Sequence, residues 1–444
     1  MQYIRDMDKL KLKELITLHK DRFLSKTDFF PRELQEKTRP FLAQREILVF
    51  TGVRRSGKSS LMRLICSDLM ELHGVERPNI LYLNFEDERF AGFTAADFDS
   101  LYESFLELEA PKGKVWLFLD EIQNVPLWEK WLNRLYEFEA VKIFVTGSNA
   151  SLLGSEIATA LTGRNRRIVV WPLSFVEFVR TRGFFPAPAE SYHRDTRIEL
   201  KRLLQKYLLI GGFPEAITTG DPTILEHYYQ DILYRDVIAR NGIRNTREIK
   251  ELALFLASNC ACIHSYKSLQ GIIGVKSQNT IKNYLQALSD VYLFLFVDLF
   301  DYSLKRQIYN PSKVYGIDPV LMQSISFTIS RNLGHVYENI VFLELRRRNK
   351  EVYYWKSIAG KEVDFVVREG RAITEAIQVS LSLADNTTRE REINGLLAAA
   401  GTFPTARLRI LSEDEERKIS HNGNSIDIIP LWKWLLGLGN DVGE

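Results

Sequence analysis

The sequence predicts an α/β protein with a parallel sheet near its amino terminus, a helical middle and a second α/β domain at its carboxyl end. Short continuous apolar runs, such as Ile47 to Phe50 and Val115 to Leu119, are typical of strands buried on both faces of a sheet. The length of 444 residues corresponds to about three domains. An apolar fraction of 45% and a charged fraction of 26% are ordinary for a globular chain and exclude a disordered or collagen-like protein.

Several function classes are disfavoured by composition. The longest apolar stretch, residues 291–300, is about half a membrane span and contains Asp298, so we expect no membrane association. The first fifteen residues alternate charged and apolar side chains, and we expect no secretory signal. Three cysteines are too few for a disulfide framework, which favours a reducing cytoplasm. The net charge of +2 gives no global nucleic-acid footprint, so any such surface must be local.

The first chemical motif is a glycine-rich loop between a predicted strand and a predicted helix. Gly52, Gly57, Lys58 and Ser59 fill the pattern G-x-x-x-x-G-K-[ST], and the apolar spacing over residues 60–72 predicts a helix after it. Amide groups of such a loop can surround phosphate oxygens at the positive end of the helix. We expect Lys58 to reach the β- and γ-phosphates and Ser59 to bind Mg²⁺. The expected nucleotide-binding residues are Gly52, Val53, Arg54, Arg55, Ser56, Gly57, Lys58, Ser59 and Ser60.

An acidic pair follows the second predicted strand. The run Val115 to Leu119 places Asp120 and Glu121 at its carboxyl end, where ligands gather in open α/β sheets. We expect Asp120 to contact Mg²⁺ through water and Glu121 to polarise the attacking water. The alternative is that both acids only stabilise a helix amino terminus.

Another predicted strand, residues 142–146, ends in two polar side chains. Ser148 or Asn149 could hydrogen-bond the γ-phosphate or the water, and the sequence does not choose between them. Equally, this segment could cap a helix that begins at Ala150.

Beyond these motifs, the chain resembles the AAA-like P-loop ATPases of bacteria and archaea, whose members pair the ATPase with a carboxyl-terminal domain of unknown function. The resemblance is carried by segments in a fixed order that together cover most of the chain from about residue 45. These segments are TGSNASLL at 146–153, LTGR at 161–164, PLSFVEF at 172–178, GGFPEA at 211–216, LYRDV at 233–237, KVYGIDP at 313–319 and YENIVFLEL at 337–345.

This resemblance implies an Mg²⁺-dependent ATPase and adds one candidate residue. Arg164 lies where an arginine finger or γ-phosphate sensor would lie in such an enzyme. It could act within its own chain or in trans, which would require an oligomer. Because Arg166 and Arg167 are neighbours, a plain basic turn is an alternative.

Residues 240–282 carry seven Lys or Arg against two Glu, and their pattern suggests a winged helix-turn-helix. We expect helices over 248–258, 265–273 and 277–289, the last capped by Ser277, followed by a β-rich wing at 291–299. Double-stranded DNA is one candidate partner, and a protein is the other. The side chains expected to face DNA are Lys276, Gln278, Asn279, Lys282 and Asn283.

The last third of the chain resembles the restriction-nuclease fold. A predicted amphipathic helix over 336–347 contains Glu338, and Asp364 lies in a predicted strand over 362–367. The next predicted strand, 372–381, has Gln378 and Ser380 where this fold has an acid and a lysine. Because Mg²⁺ prefers carboxylate oxygen and Ser380 carries no charge, we expect this domain to be an inactive nuclease.

The expected domains are an ATPase domain with an amino-terminal helical extension at 1–170, a helical lid at 171–240, a winged helix at 241–303 and a nuclease-like domain at 304–444. The leading function is ATP hydrolysis coupled to a nucleic-acid- or protein-binding module. A slow nucleotide-dependent adaptor for a protein partner is the alternative, and an ATP-driven DNA nuclease is less favoured.

Overall fold

The computed structural model describes residues 8–25, 29–149, 163–326, 332–421 and 423–438. They belong to two compact units, Met1–Trp171 and Pro172–Glu444, each of which is described by itself. Among the described residues, no helix is both long and apolar enough to span a bilayer.

The amino-terminal unit is built on a five-stranded parallel sheet with helices on both faces. The strand order is β2-β3-β4-β1-β5, which places β4 between the strand before the glycine-rich loop and the strand before the acidic pair. In chain order the elements are α1 (Lys9–Leu24), α2 (Glu33–Leu42), β1 (Ile47–Thr51), α3 (Lys58–His73), β2 (Ile80–Asn84), α4 (Asp97–Glu109), β3 (Val115–Asp120), α5 (Trp128–Phe138), β4 (Val141–Gly147) and β5 (Asn165–Val169).

The two faces of this sheet explain its continuous apolar strands. Successive strand residues point to opposite faces, so that Val49 packs with the α1, α4 and α5 side while Leu48 packs with the α2 and α3 side. Every residue of β1 is buried, as expected for a parallel sheet covered on both sides. The predicted fold class of this half is confirmed.

The second unit begins with helices. They are α6 (Phe175–Thr181), α7 (Arg194–Ile210), α8 (Pro214–Thr219) and α9 (Ile224–Asp231), which continues as the π-helical segment Ile232–Ala239. Short 3₁₀ turns at Arg77–Asn79, Glu88–Phe90, Ile122–Asn124 and Pro188–Tyr192 connect elements of both units.

A group of helices and short strands follows in the region expected to form a winged helix. Its elements are α10 (Thr246–Ser258), β6 (Ile263–His264), α11 (Tyr266–Ile273), α12 (Gln278–Asp290), β7 (Phe294–Val297), α13 (Leu304–Tyr309) and β8 (Ser312–Gly316). The strands form an antiparallel sheet of order β6-β8-β7, and the Ser277 side chain caps α12 as predicted. Strand β7 lies within the segment expected at 291–299, and its partner β8 lies beyond the domain boundary expected at 303.

The carboxyl-terminal part is a six-stranded mixed sheet of order β13-β14-β12-β11-β10-β9 with helices packed against it. Its elements are α14 (Pro319–Ile325), α15 (Leu333–Arg347), β9 (Glu351–Lys356), β10 (Glu362–Glu369), β11 (Ala372–Val379), α16 (Asn386–Thr402), β12 (Arg407–Ser412), β13 (Arg417–His421), β14 (Asn424–Pro430) and α17 (Leu431–Leu435). The helix predicted to be amphipathic, α15, is buried at every position from Val336 to Leu345, because neighbouring elements enclose it.

Candidate nucleotide-binding site

The loop between β1 and α3 has a backbone that requires glycine at two positions. Gly52 has φ of 143°, and a Cβ atom there would lie 2.3 Å from the carbonyl oxygen of Val170. Gly57 has φ of 95° and precedes the first residue of α3. These two glycines therefore bend the chain tightly into the helix amino terminus, the geometry that directs amide groups towards an anion.

Side chains around the loop are held by ionic and backbone contacts. Arg54 Nη1 lies 2.9 Å from Glu86 Oε1, while Arg55 is exposed and has φ of 70°. The hydroxyl of Ser56 is buried and has no hydrogen-bond partner among the described residues. Arg32 donates to the carbonyl oxygens of Ser56 and Trp171 at 3.1 and 2.7 Å, an anchor for the loop that the sequence analysis missed.

Lys58 is buried and folds back over the loop. Its Nζ donates to the carbonyl oxygens of Gly52 and Val53 at 3.2 and 3.1 Å and lies 3.8 Å from Glu121 Oε1. The predicted lysine and the predicted water-polarising acid therefore lie at the same edge of the sheet. Val53, a residue of the loop, is buried, and Ser59 and Ser60 lie in the first turn of α3.

The acidic pair is fixed by two side chains from neighbouring strands. Thr146 Oγ1 donates to Asp120 Oδ1 and accepts a hydrogen bond from the Glu121 amide at 2.9 Å. Tyr82 donates its hydroxyl proton to Asp120 Oδ2 at 3.0 Å. Burial, together with the negative charge of Asp120, raises the pKa of Tyr82 well above its ordinary value, so this hydroxyl remains a donor.

Neither Thr146 nor Tyr82 was predicted from the sequence. Both belong to apolar strand segments, where a single polar side chain is easily interpreted as part of the core. The available signal was their register, because Thr146 lies near the carboxyl end of the strand that adjoins Asp120.

The two polar residues after β4 lie at the same sheet edge as the loop and the acidic pair. Ser148 and Asn149 are both buried, and the Ser148 hydroxyl has no hydrogen-bond partner within the described part of the chain. The alternative of a helix starting at Ala150 falls outside the described residues. The structure thus brings these two residues to the place where the sequence predicted them.

Arg164 lies at the opposite edge of this sheet, the one at which the strands begin. Its carbonyl oxygen accepts from the Ile47 amide at 2.8 Å, where β1 and β5 begin, whereas the loop follows the other end of β1. The five residues of β1 put roughly 16 Å between these edges. Its guanidinium pairs with Glu137 at 2.7 Å and lies 5.4 Å from the Tyr136 ring centre. The expectation that Arg164 could sense the γ-phosphate of its own chain is therefore corrected; the role in trans stays a prediction.

The residues at the loop edge fit a nucleotide with Mg²⁺. The loop forms a tight cradle at Gly52, the Ser56 and Ser148 hydroxyls lack partners in the described chain, and Ser59 and Asp120 supply hard oxygen donors. No group of three or more His, Cys, Asp or Glu side chains among the described residues could hold a metal ion alone. A cation here would therefore depend on phosphate oxygens as well as on the protein.

A second candidate surface is the exposed side of α12. The five side chains predicted to face DNA include no acid. One of them, Lys282, has its Nζ 5.1 Å from the centre of the Tyr266 ring. The exposed residues predicted to face DNA are Lys276, Gln278, Asn279, Lys282 and Asn283.

Comparison with known families divides the chain into three matched regions. Residues 44–179 match the model of an AAA domain, residues 201–331 a domain of unknown function called DUF8612, and residues 333–434 a domain of unknown function called DUF4143.

Two relatives and two solved structures place these matches in context. The chain is 35% identical over 450 residues to the uncharacterized protein MJ1544 of Methanocaldococcus jannaschii, covering 97% of this chain and 96% of that protein. It is 32% identical over 372 residues to an uncharacterized protein of Haemophilus influenzae, covering 82% of this chain and 88% of that protein. The Aeropyrum pernix ORC1 protein in complex with DNA is 13% identical with a TM-score of 0.32, covering 69% of this chain and 95% of that one. The ADP form of the Aeropyrum pernix ORC2 protein is 14% identical with a TM-score of 0.36, covering 62% and 90%.

Proposed function

This chain belongs to the family of archaeal and bacterial AAA-like P-loop ATPases with a DUF4143 carboxyl-terminal domain, and from that premise we propose that it binds ATP with Mg²⁺ and hydrolyses it. The observation that supports the proposal is a convergence at one sheet edge. The glycine-rich loop, the acidic pair after β3 and the polar pair after β4 lie together there, although up to about a hundred residues separate them in the sequence.

Each side chain has a distinct role in the proposed reaction. The loop amides and Lys58 bind the phosphates, and Ser59 and Asp120 are the residues that would hold Mg²⁺, which neutralises phosphate charge when bound. Glu121 orients and polarises the attacking water, and Ser148 or Asn149 hydrogen-bonds the γ-phosphate or that water. Thr146 keeps the two acids in register because its hydroxyl bonds to both residues.

The test is steady-state ATP hydrolysis with Mg²⁺ by the wild-type protein, by Lys58→Ala and by the control Lys130→Ala. Lys130 is an exposed lysine of the same unit, on α5. We expect Lys58→Ala to weaken ATP binding and abolish turnover, because the β- and γ-phosphates lose the one cation of the motif, while Lys130→Ala keeps both. Wild-type turnover by Lys58→Ala would contradict the site assignment.

DNA coupling is the second candidate function, and the exposed basic and amide side chains on α12 favour it. Double-stranded DNA should then stimulate ATP hydrolysis, and the stimulation should weaken between low and moderate salt as counterions compete. The double variant Lys276→Ala/Lys282→Ala should lose the stimulation and keep the basal rate. With no stimulation in the wild type, the alternative of a slow nucleotide-dependent adaptor for a protein partner would take precedence.

Two further expectations belong to the proposal. If Arg164 acts in trans, hydrolysis per chain should rise with protein concentration, and Arg164→Ala should abolish that rise.

A cytoplasmic location agrees with three free cysteines, of which Cys66 is buried, and burial raises the pKa of its thiol to about 12.

A further inference from the structure

The carboxyl-terminal unit contains a cavity of about 870 Å³ whose wall includes a group of acidic side chains and one lysine. The group comprises Lys313 on β8, Glu338 on α15, and Glu362 and Asp364 on β10, and we call it the Lys313 cluster. The acids lie where the restriction-nuclease resemblance would place a Mg²⁺ ion. Whether the residues fit such an ion therefore depends on what their oxygen atoms already contact.

Lys313 contacts all three carboxylates of the cluster. Its Nζ lies 3.1 Å from Glu338, 3.1 Å from Glu362 and 3.0 Å from Asp364, and the residue is only 3% exposed. The ammonium donates hydrogen bonds to Glu338 and Asp364 and forms an ion pair with Glu362, so it lies among all three carboxylates. Tyr315 also donates to Glu338 at 2.6 Å.

Asp364 and Gln378, at the expected metal site, are also held by hydrogen bonds within the protein. Asp364 Oδ2 accepts from the Val379 amide at 3.0 Å. Gln378, which stands where the fold has an acid, accepts from the Asp364 amide at 2.6 Å through its Oε1 and donates to Glu392 through its Nε2. Its amide thus bridges two elements of the domain. With a neutral amide in place of an acid and an ammonium already among the three carboxylates, the Mg²⁺ ion implied by the fold does not fit this donor set.

Lys313 is a cation near Asp364 that the sequence analysis did not identify. The lysine is not the one of the (Asp/Glu)-x-Lys element, since that position is Ser380, whose hydroxyl donates to the Ser382 carbonyl at 3.2 Å. It comes instead from the last strand of the winged helix, 51 residues before Asp364 in the sequence. A lysine that assisted a metal-bound water would lie beside the metal, whereas Lys313 lies among the carboxylates themselves.

We infer that the Lys313 ammonium is the resident cation of this cluster, occupying the position of a divalent metal ion, so that the wild-type domain binds no metal there. The domain is then a nuclease-like fold stabilised by an internal ion pair network that joins the winged helix to the mixed sheet. Charge balance agrees with this inference, because burial raises the pKa of Glu338 to about 8 and thereby reduces the negative charge that Lys313 must offset.

The experiment measures Mn²⁺ binding to the full-length, nucleotide-free protein by electron paramagnetic resonance, with thermal unfolding in EDTA or Mn²⁺ as a second readout. The wild type and Asp364→Asn should bind equal amounts of Mn²⁺, since no bound metal depends on Asp364. Lys313→Met should unfold at a lower temperature in EDTA, gain about one Mn²⁺ per chain, and regain stability when Mn²⁺ is present. Lys313→Met/Asp364→Asn should lose that added ion.

Control variants and contrary outcomes make the test decisive. Lys305→Met removes an exposed lysine from α13 and should change neither readout. A folded Lys313→Met that gains no Mn²⁺ would overturn the inference. If Lys313→Met does not fold, the comparison of the wild type with Asp364→Asn decides: a Mn²⁺ ion that the wild type binds and Asp364→Asn loses would show a true metal site with Lys313 as its neighbour.

Discussion

The loop edge of the amino-terminal sheet and the Lys313 cluster both bring polar and charged side chains together. They differ in whether the protein itself supplies hydrogen-bond partners for those side chains. At the loop edge, the buried hydroxyls of Ser56 and Ser148 have no hydrogen-bond partner among the described residues. In the Lys313 cluster, the ammonium contacts three carboxylates, and both oxygens of Asp364 accept hydrogen bonds from the protein. A buried polar group without a partner costs about 1–3 kcal/mol, so it marks a place where a ligand can supply the missing bond. At the loop edge, these unpaired hydroxyls therefore support a binding site, which the carboxylates of the Lys313 cluster do not.

The largest expected effect is that of Glu121→Gln at the loop edge. The variant keeps the shape of the side chain and should retain ATP binding, but its turnover should fall by about 10²- to 10⁴-fold because the group that polarises water is lost. Nucleotide-binding and single-turnover assays separate the two properties. Glu139→Gln, an exposed acid after α5, serves as the control and should be unaffected. Normal hydrolysis by Glu121→Gln would make Glu121 a structural acid.

The next effect is that of Gly52→Ala, which tests whether the cradle is as tight as the structure indicates. The added Cβ would lie 2.3 Å from the Val170 carbonyl oxygen, so we expect a loss of about 1–3 kcal/mol in unfolding free energy and weakened ATP binding. Gly74→Ala is a matched control, since Gly74 also has a positive φ, of 65°, but no atom of the described residues beyond its chain neighbours lies within 4 Å of its Cβ position. Urea unfolding of both variants separates the effect of steric overlap, expected only at Gly52, from the effect of a positive φ, which both positions share. Equal destabilisation in the two would show that the close approach at Gly52 does not matter.

These variants also show how much of the site could be predicted from the sequence. The loop and the acidic pair follow apolar strands directly, so local patterns predict both the elements and the chemistry. Thr146 and Tyr82 could not be assigned, because their roles depend on which strands are neighbours in the sheet. The distance between Arg164 and the loop of its own chain could not be predicted either, because a resemblance gives a position in the sequence and not an edge of the sheet.

The second unit shows the same limit at a larger scale. Helices α10 to α12 were predicted from their apolar spacing. Strand β8, however, was assigned to the next domain, since the residues of β6 and β7 with which it pairs lie 16 to 50 positions earlier in the sequence. Lys313 belongs to that strand, and its three acids lie 25 to 51 residues later. No local pattern connects a lysine to carboxylates at such distances, so the composition of the cluster emerges only from the folded chain.

A smaller effect is expected for Thr146→Val, which removes the hydroxyl that joins Asp120 to the Glu121 amide. Losing these bonds should cost about 1–3 kcal/mol of stability and lower ATP turnover by about tenfold while ATP still binds. Thr38→Val is the control, because Thr38 is equally buried in this unit but its hydroxyl donates only to the Gln35 carbonyl. If only Thr146→Val loses turnover while both variants lose stability, Thr146 positions the acidic pair. Equal turnover by the two variants would contradict that role.

The last expected effect is on stability alone and concerns its pH dependence, set by the Lys313 cluster. Burial raises the pKa of Glu338 from its ordinary value of 4.5 to about 8, so between these pH values the folded state holds a proton that the unfolded state has lost. Stability contributed by this group is therefore complete below about pH 4.5 and falls as the pH rises towards 8, with a slope of at most about 1.4 kcal/mol per pH unit for one proton. Glu338→Gln, a permanently neutral side chain of the same shape, should flatten this slope in urea unfolding measured from pH 5 to 8, whereas the exposed control Glu390→Gln should keep it. An unchanged slope in Glu338→Gln would mean that Lys313 keeps Glu338 ionised, and that the cluster holds its excess negative charge without a proton.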